Sequence, residues 1–240
     1  MLGTDRTLFI SWQARIGTSN THLKWADIAD GKHDNIINTA ITRMKDWNRP
    51  VIIAFDPEFD NLVKQKGPVA DYVRAYRRIT EMFRRAAVTN VAWAWVPTGF
   101  LGEGNDARTL AGYPGDAYVD WVGYDPYNFF RCSNAGWKTF EQTISPTYQW
   151  LVNQGLDNKP FVLSEYGTQY DVDNPAASTQ WYADIPGVLK RYPNLKSLIR
   201  FDADGVVNSG ARCSLWIDNG PGMKEAFAAA GRNSRLQAVD

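Results

Sequence analysis

The chain has 240 residues, of which 44% are hydrophobic and 22% are charged, so it can bury one sizeable core. Its 26 basic residues balance its 26 acidic ones, which argues against nucleic acid or an anionic membrane as a partner and favours a neutral one. No apolar run reaches the roughly 18 residues that a transmembrane helix needs, and residues 1–15 lack the basic-then-apolar order of a signal peptide. We therefore expect a single globular domain over residues 1–240.

Strand-like and helix-like stretches alternate along the chain. Apolar runs predict strands over residues 7–13, 51–55, 91–96, 118–127, 161–164 and 195–201. The pattern predicts helices over residues 34–47, 68–88, 136–154, 178–191 and 221–230. The third is expected to be interrupted or to start afresh near Pro146, and the fourth contains Pro186. The segments 14–34 and 98–115 are predicted to be loops. Such alternation is typical of a parallel α/β domain.

Two predicted strands run into a glutamate. The strand over 51–55 breaks at Asp56-Pro57-Glu58, and the strand over 161–164 stops at Glu165. Active sites of parallel α/β barrels lie at the carboxyl ends of the strands, so two such glutamates can face each other across one barrel mouth. For either glutamate alone, the alternative is a solvated carboxylate at a strand end.

Six predicted strands are two fewer than a closed (β/α)8 barrel needs. The missing units would leave the first and last strands as open edges. We therefore expect an incomplete (β/α)8 barrel, and either a natural protein that continues upstream of Met1 or edges covered by another chain.

Neither a metal nor an organic cofactor is implied. His22 and His33 are isolated, without an H-x-H or H-E-x-x-H grouping, and are interpreted as surface residues. No glycine-rich phosphate loop follows a predicted strand. One face of the helix over 68–88 carries five arginines, which indicate either an ordinary charged outer face or a polyanion site. They are Arg74, Arg77, Arg78, Arg84 and Arg85.

A series of motifs resembles glycoside hydrolase family 26, a family of retaining β-glycanase barrels. The motifs are ISW at 10–12, RPVIIAF followed by Glu58, WAWVP at 93–97, YPGDAYVDWVGYDPYN at 113–128 and SEYG at 164–167. The resemblance covers residues 7–230. It implies that the visible strands are the third to the eighth of the barrel, and that the first two belong to residues absent from this chain.

The resemblance also implies residue roles. Glu58 corresponds to the acid/base and Glu165 to the nucleophile, while Tyr127 hydrogen-bonds near the nucleophile and Asp125 lies in the same pocket. A retaining mechanism needs two carboxyl groups roughly 5 to 5.5 Å apart, one protonated and one ionised. We expect a retaining endo-β-glycanase that cleaves a polysaccharide or oligosaccharide, with β-1,4-mannan as the first substrate.

Three departures from the family pattern bear on the substrate. Pro57 stands where the family usually has His, residues 60–64 replace a segment that often carries Trp, and Phe201-Asp202 replaces another Trp. These positions shape the sugar site beside the cleaved bond, so lichenan and xylan are alternatives to mannan. Pro57 and the missing strands also leave open a carbohydrate-binding barrel that has lost catalysis.

Aromatic residues and cysteines complete the candidate residues. The chain holds 10 Trp and 11 Tyr, whose amphipathic rings suit sugar faces. Trp12 and Trp95, at strand ends, are candidate stacking platforms, with core packing as the alternative. From their positions alone, Cys132 and Cys213 can be paired or free. Secreted relatives in the family have similarly placed cysteines, which implies a Cys132–Cys213 disulfide and a secreted protein whose signal peptide is not part of this chain.

Overall fold

A computed structural model describes residues 7–17, 21–206, 210 and 212–236. The contacts divide the chain into two compact units, Met1–Gly123 and Tyr124–Asp240. The single domain expected over residues 1–240 stays a prediction. None of the helices in the described part of the chain is long and apolar enough to cross a membrane.

The first unit alternates strands with helices. Its elements are β1 (Leu8–Trp12), α1 (Trp25–Ala29), α2 (Asp34–Trp47), β2 (Val51–Phe55), α3 (Val63–Lys66), α4 (Val69–Arg85), β3 (Val91–Trp95), α5 (Asn105–Ala111) and β4 (Trp121–Tyr124), the last of which ends at the first residue of the second unit. Strands β1 to β4 are parallel neighbours in sequence order. The register aligns Trp12 with Phe55 and Ala94 with Trp121.

The two faces of this sheet bury different side chains. One face carries the cluster of Ala54, Ala94 and Val96, against which Phe9, Ile52 and Trp121 pack. Side chains alternate along a strand, so Phe55 and Trp93 point to the opposite face, which α4 covers. There Phe55 packs on Tyr72 and Tyr76, and Trp93 packs on Tyr76 and Phe83. Helix α4 therefore supplies the apolar stripe that its sequence predicted.

The arginine face of α4 is matched by local partners. Arg74 pairs with Asp30 and Asp71, Arg78 with Asp34, and Arg85 with Glu81, while Arg77 and Arg84 donate to the backbone oxygens of Pro114 and Ala117. Because these five side chains already have partners, the structure favours an ordinary charged outer face over a polyanion site.

The second unit contains a parallel sheet and an antiparallel hairpin. Its elements are β5 (Tyr127–Asn128), α6 (Phe140–Asn153), β6 (Phe161–Thr168), α7 (Pro175–Ala183), α8 (Ile185–Leu189), β7 (Leu195–Arg200), β8 (Asp204–Val206), β9 (Arg212–Ser214) and α9 (Met223–Gly231). Strands β5 and β7 both pair with β6 in parallel, and β8 pairs with β9 in antiparallel.

The Cys132–Cys213 disulfide predicted from the resemblance is confirmed. Its Cα atoms are 5.7 Å apart. The bond ties the 3-10 turn Phe130–Ser133 to β9, and it closes a span of 81 residues within the second unit.

Several predicted boundaries were wrong. The loop over 98–115 contains α5, a seven-residue helix too short to show a helical period, and the loop over 14–34 contains the shorter α1. The strand over 118–127 is divided into β4 and β5 at Asp125-Pro126, because proline has no N–H for a ladder. The helix over 178–191 is two helices, α7 and α8, joined at Asp184. Pro146, in contrast, does not interrupt α6.

Candidate active site

The turn after β2 positions Glu58. Asp56 and Glu58 both have left-handed backbones, with φ of 43° and 58°. Such a conformation costs a residue other than glycine about 1 to 3 kcal/mol and persists only where its surroundings enforce it. The Asp56 N–H donates to Trp12 O at 2.9 Å, and the Glu58 N–H donates to Val96 O at 2.8 Å. The end of β1 and the residue directly after β3 therefore hold the turn from both sides.

The carboxylate of Asp56 is buried beneath this turn and accepts hydrogen bonds from three different donors. It is 0% exposed, and it accepts hydrogen bonds from Ala14 N at 2.8 Å and Trp25 Nε1 at 2.6 Å. Its third donor is Lys66 Nζ at 2.5 Å, on a side chain that is only 1% exposed. Burial lowers the pKa of Lys66, and the neighbouring Asp56 carboxylate partly opposes this effect. No sequence pattern indicates this ion pair, since lysine is rarely buried.

Asp60 secures the other side of the turn. Its buried carboxylate accepts from Thr98 N at 3.0 Å, from Thr98 Oγ1 at 2.5 Å and from Asn105 Nδ2 at 2.9 Å. These bonds join the turn after Glu58 to the segment after β3 and to the start of α5. Residues 60–64, noted in the sequence only as a departure from the family pattern, thus contain a structural anchor.

Two of the predicted site residues, Tyr127 and Asp125, contact Glu165. Tyr127 Oη donates to Glu165 Oε2 at 2.6 Å. The Glu165 N–H donates to Asp125 Oδ1 at 2.9 Å, and the Ser164 hydroxyl donates to the same oxygen. The strand predicted to stop at Ser164 in fact continues to Thr168, so Glu165 lies within β6, at an irregularity in its pairing with β7 between Leu163 and Tyr166.

Two features of the surroundings of Glu165 shift the pKa of its carboxyl in opposite directions. Burial raises the pKa of the Glu165 carboxyl above its ordinary value, and the hydrogen bond from Tyr127 partly counters this effect by favouring the ionised form. Aromatic rings fix the donor, since Tyr127 stacks on Phe129 at 4.9 Å and meets the edge of Phe201 at 6.0 Å. Glu165 is therefore a partly buried carboxylate with a fixed hydrogen-bond donor.

The two tryptophans predicted as sugar platforms pack within the first unit. Trp12 contacts Phe83 of α4 at 6.3 Å between ring centroids. Trp95 is 0% exposed and packs against Phe59 and Tyr113 at 6.0 and 5.1 Å. Both rings contact aromatic side chains of the first unit, as the packing alternative expects, and the role of each ring as a sugar platform stays a prediction. Strand alternation places Trp95 on the same face as Trp93, which packs on Tyr76 and Phe83 of α4.

The described residues hold no group of three or more His, Cys, Asp or Glu side chains that could bind a metal ion. The titratable groups that the structure brings together at the candidate site are the Asp125 and Glu165 carboxyls and the Tyr127 hydroxyl.

A comparison with known protein families matches residues 59–195, more than half of the chain, to glycosyl hydrolase family 26. The chain belongs to glycosyl hydrolase family 26. The family 26 match contains Asp125, Tyr127 and Glu165, and it begins at the residue after Glu58. The family resemblance predicted from the motifs is confirmed.

Among curated proteins, the family 26 chain is similar to Endoglucanase H of Acetivibrio thermocellus, with 32% identity over 152 residues. The alignment covers 59% of this chain and 16% of that protein, so the chain corresponds to a small part of its relative's length.

Solved structures show the same fold. A family 26 β-mannanase from Bacteroides ovatus matches with a TM-score of 0.64 at 19% identity, over 98% of this chain and 70% of that one. An endo-β-1,4-mannanase double mutant from Cellulomonas fimi matches with a TM-score of 0.63 at 18% identity, over 98% and 56%. The predicted fold class, an incomplete (β/α)8 barrel, is confirmed, since the described residues contain fewer than eight parallel strands.

Proposed function

We propose that this family 26 chain is a retaining endo-β-glycanase, with Glu165 as the nucleophile, Glu58 as the acid/base and β-1,4-mannan as the first substrate. The observation that carries the proposal is the Glu165 carboxylate, which accepts the Tyr127 hydroxyl at 2.6 Å, while Asp125 holds the Glu165 backbone. A solvated strand-end carboxylate would need neither contact.

The proposed chemistry has two displacements. In the first, a Glu165 oxygen bonds to the anomeric carbon as the glycosidic C–O bond breaks, and Glu58 gives its proton to the departing oxygen. In the second, Glu58 takes a proton from water, whose oxygen attacks the same carbon and releases Glu165. The sugar leaves with its original β configuration because the centre is inverted twice.

The environment of Glu165 suits the role of nucleophile. The carboxyl must be ionised to attack, and burial alone would keep it protonated to a higher pH. Tyr127 supplies the opposing effect, since its hydroxyl donates to the ionised oxygen. The same bond fixes which oxygen carries the hydrogen bond and leaves the other for attack. Tyr127 is thus proposed to orient the nucleophile as well as to favour its charge.

Glu58 is proposed as the acid/base from its position in the family pattern and from its rigid backbone. Its left-handed turn is held by Val96 O and by the buried carboxylates of Asp56 and Asp60 on either side. Catalytic groups need positioning to within about 0.5 Å, and these anchors supply rigidity where Pro57 replaces the histidine usual in the family.

A β-glucan is the second candidate substrate, because the relative with 32% identity is an endoglucanase. The test is release of reducing sugar from mannan, glucomannan, lichenan, carboxymethylcellulose and xylan. Release from mannan supports the first candidate, and release from lichenan or carboxymethylcellulose but not mannan supports the second. Binding without release from any of them would contradict the proposal and support a carbohydrate-binding barrel.

Two variants separate the roles of the glutamates. Glu165→Ala should lose turnover on every substrate, since the covalent intermediate cannot form. Glu58→Ala should form the intermediate from an activated aryl β-glycoside, which needs little protonation, and then stall for lack of a base. Azide should accelerate that slow phase and give a β-glycosyl azide. A β-configured azide product from Glu165→Ala would instead reverse the assignment.

The proposal includes export of the protein. Disulfides persist in oxidising compartments, and the Cys132–Cys213 bond is an intact link of this kind. Alkylation of two thiols in the denatured, unreduced protein from its native source would contradict export.

A further inference from the structure

One large aromatic side chain of the second unit is exposed but fixed in place. Trp216 follows β9 and is 43% exposed. Its indole Nε1–H donates to Asp204 Oδ1 at 3.0 Å, so the ring has a set orientation. A tryptophan that is open to solvent and held in one orientation can present the flat face of its ring to a sugar.

The backbone on both sides of Trp216 is anchored to the residues at the end of β7. Leu215 N donates to Ala203 O at 3.2 Å, and the Arg200 guanidinium donates to Leu215 O. Ile217 N donates to Asp202 Oδ1 at 2.8 Å. The Arg200 side chain is only 4% exposed, and it also bonds Asp202 at 2.5 Å. Hydrogen bonds on both sides therefore hold the backbone that carries Trp216 in place.

The same residues at the end of β7 adjoin the nucleophile strand. Arg200 is the register partner of Tyr166, the neighbour of Glu165 in β6, and Phe201 N donates to Tyr166 O at 3.0 Å. The Phe201 ring meets Tyr127, the residue that donates to Glu165. A short series of contacts within the second unit thus connects Trp216 to the surroundings of Glu165, at the carboxyl ends of β6 and β7.

The disulfide adds a second brace. Cys213 lies in β9, three residues before Trp216, and its partner Cys132 lies in the turn after β5. Strand β9 pairs with β8, which begins at Asp204, the residue that orients the indole. The covalent bond therefore holds the hairpin that positions both members of the Trp216–Asp204 pair.

We infer that Trp216 is a sugar-binding platform for a pyranose ring of the polysaccharide beyond the sugar attacked by Glu165. The C–H face of a β-linked pyranose suits the flat indole, and the exposed carboxylates of Asp202 and Asp204 beside it can accept bonds from sugar hydroxyls. This inference rests on the proposed function and deepens it, since it assigns the binding of a more distant sugar of the polysaccharide to one residue.

The test compares long and short substrates. For the polysaccharide that is hydrolysed, kcat/KM is measured on the matching hexasaccharide and on an aryl β-disaccharide. Trp216→Ala should lower the ratio of the two values by about fivefold, the factor expected for one aromatic stacking contact. Trp216→Phe, which keeps a ring, should lose less. Ile36→Ala is the matched control, because Ile36 is also 43% exposed but lies on α2 in the first unit.

The outcomes distinguish this inference from the proposed function. A ratio that is unchanged in Trp216→Ala, in an enzyme that hydrolyses the polysaccharide, overturns the platform and leaves the function standing. If nothing is hydrolysed, calorimetric titration with mannohexaose, cellohexaose and xylohexaose decides. Weaker binding by Trp216→Ala than by the wild type then supports the platform without catalysis, and equal or undetectable binding by both refutes it.

Discussion

The buried ion pair beneath Glu58 gives a sharp test of how the first unit holds its turn. Lys66→Met keeps most of the side-chain volume but removes the charge that pairs with Asp56. Breaking a buried pair by removing one partner costs about 3 to 5 kcal/mol, because the remaining charge is left uncompensated. Asp56 would keep its bonds from Ala14 N and Trp25 Nε1, so we expect a loss near the lower end, about 3 kcal/mol.

Urea unfolding monitored by tryptophan fluorescence measures this loss. With a slope of about 2 to 3 kcal/mol per molar urea, the midpoint of the transition that reports the first unit should fall by about 1 M. Lys45→Met is the control, since Lys45 is exposed on α2, and it should change the free energy of unfolding by no more than about 0.5 kcal/mol.

A double-mutant cycle with Asp56→Asn isolates the pairwise interaction. If the two charges stabilise each other, the double variant should be more stable than the sum of the single losses predicts, by at least about 1.5 kcal/mol. A loss below about 1 kcal/mol for Lys66→Met, or additive losses in the cycle, would refute the claim that this pair secures the turn.

Three further predictions concern the second unit. Tyr127→Phe removes the donor that favours the ionised form of Glu165, so the pKa of Glu165 should rise further. The acidic limb of the pH profile of kcat/KM should then move to higher pH, and an unmoved limb would contradict the role of this hydrogen bond. Burial raises the folded-state pKa of Glu165, so folding bears a cost for ionising it at neutral pH that is absent below the unfolded value of 4.5. Glu165→Gln should therefore raise Tm at pH 7 but not at pH 4, and calorimetry showing an equal rise at both would refute the charge explanation. Replacing Cys132 and Cys213 by Ala opens a span of 81 residues and should lower the free energy of unfolding by up to about 4 to 5 kcal/mol. Denaturant unfolding measures the loss, and the wild type with its disulfide reduced should lose a similar amount.

The sequence predicted the framework of the fold because the framework depends on local patterns. The near-continuous apolar run of β2 and the apolar stripe of α4 are visible without any tertiary information, and both elements form as predicted. Helix α5 was missed because seven residues between glycines show no period, although Asn105 at its start contacts Asp60. Short elements that long-range hydrogen bonds hold in place cannot be predicted from the spacing of apolar residues alone.

The candidate site was predictable to a different extent for different residues. Tyr127, Asp125 and Glu165 were named from motifs, and the structure brings them together. The charge of Lys66 gave no hint of burial, because its partner Asp56 is fixed by bonds from two separate segments. The position of Trp95 at a strand end left both a sugar platform and core packing open, because its neighbours Phe59 and Tyr113 come from segments that local spacing does not place.

A buried aspartate stands beside each proposed catalytic glutamate, and the chemistry of the side chain explains why. Asp56 precedes Glu58 by two residues and takes one backbone N–H, one indole N–H and one ammonium. Asp125 takes the N–H of Glu165 itself and a serine hydroxyl. An aspartate carboxylate offers two oxygens with about four acceptor sites on a short stem, so one side chain can fix several donors from distant segments without much loss of rotamer entropy. Glutamate, with one more rotatable bond, suits the opposite task of reaching from that fixed backbone toward a substrate. If aspartate anchors the backbone and glutamate reaches the substrate, replacing the anchor by the longer side chain, as in Asp125→Glu, should shift the backbone that carries Glu165. This variant should lower kcat more than it changes KM.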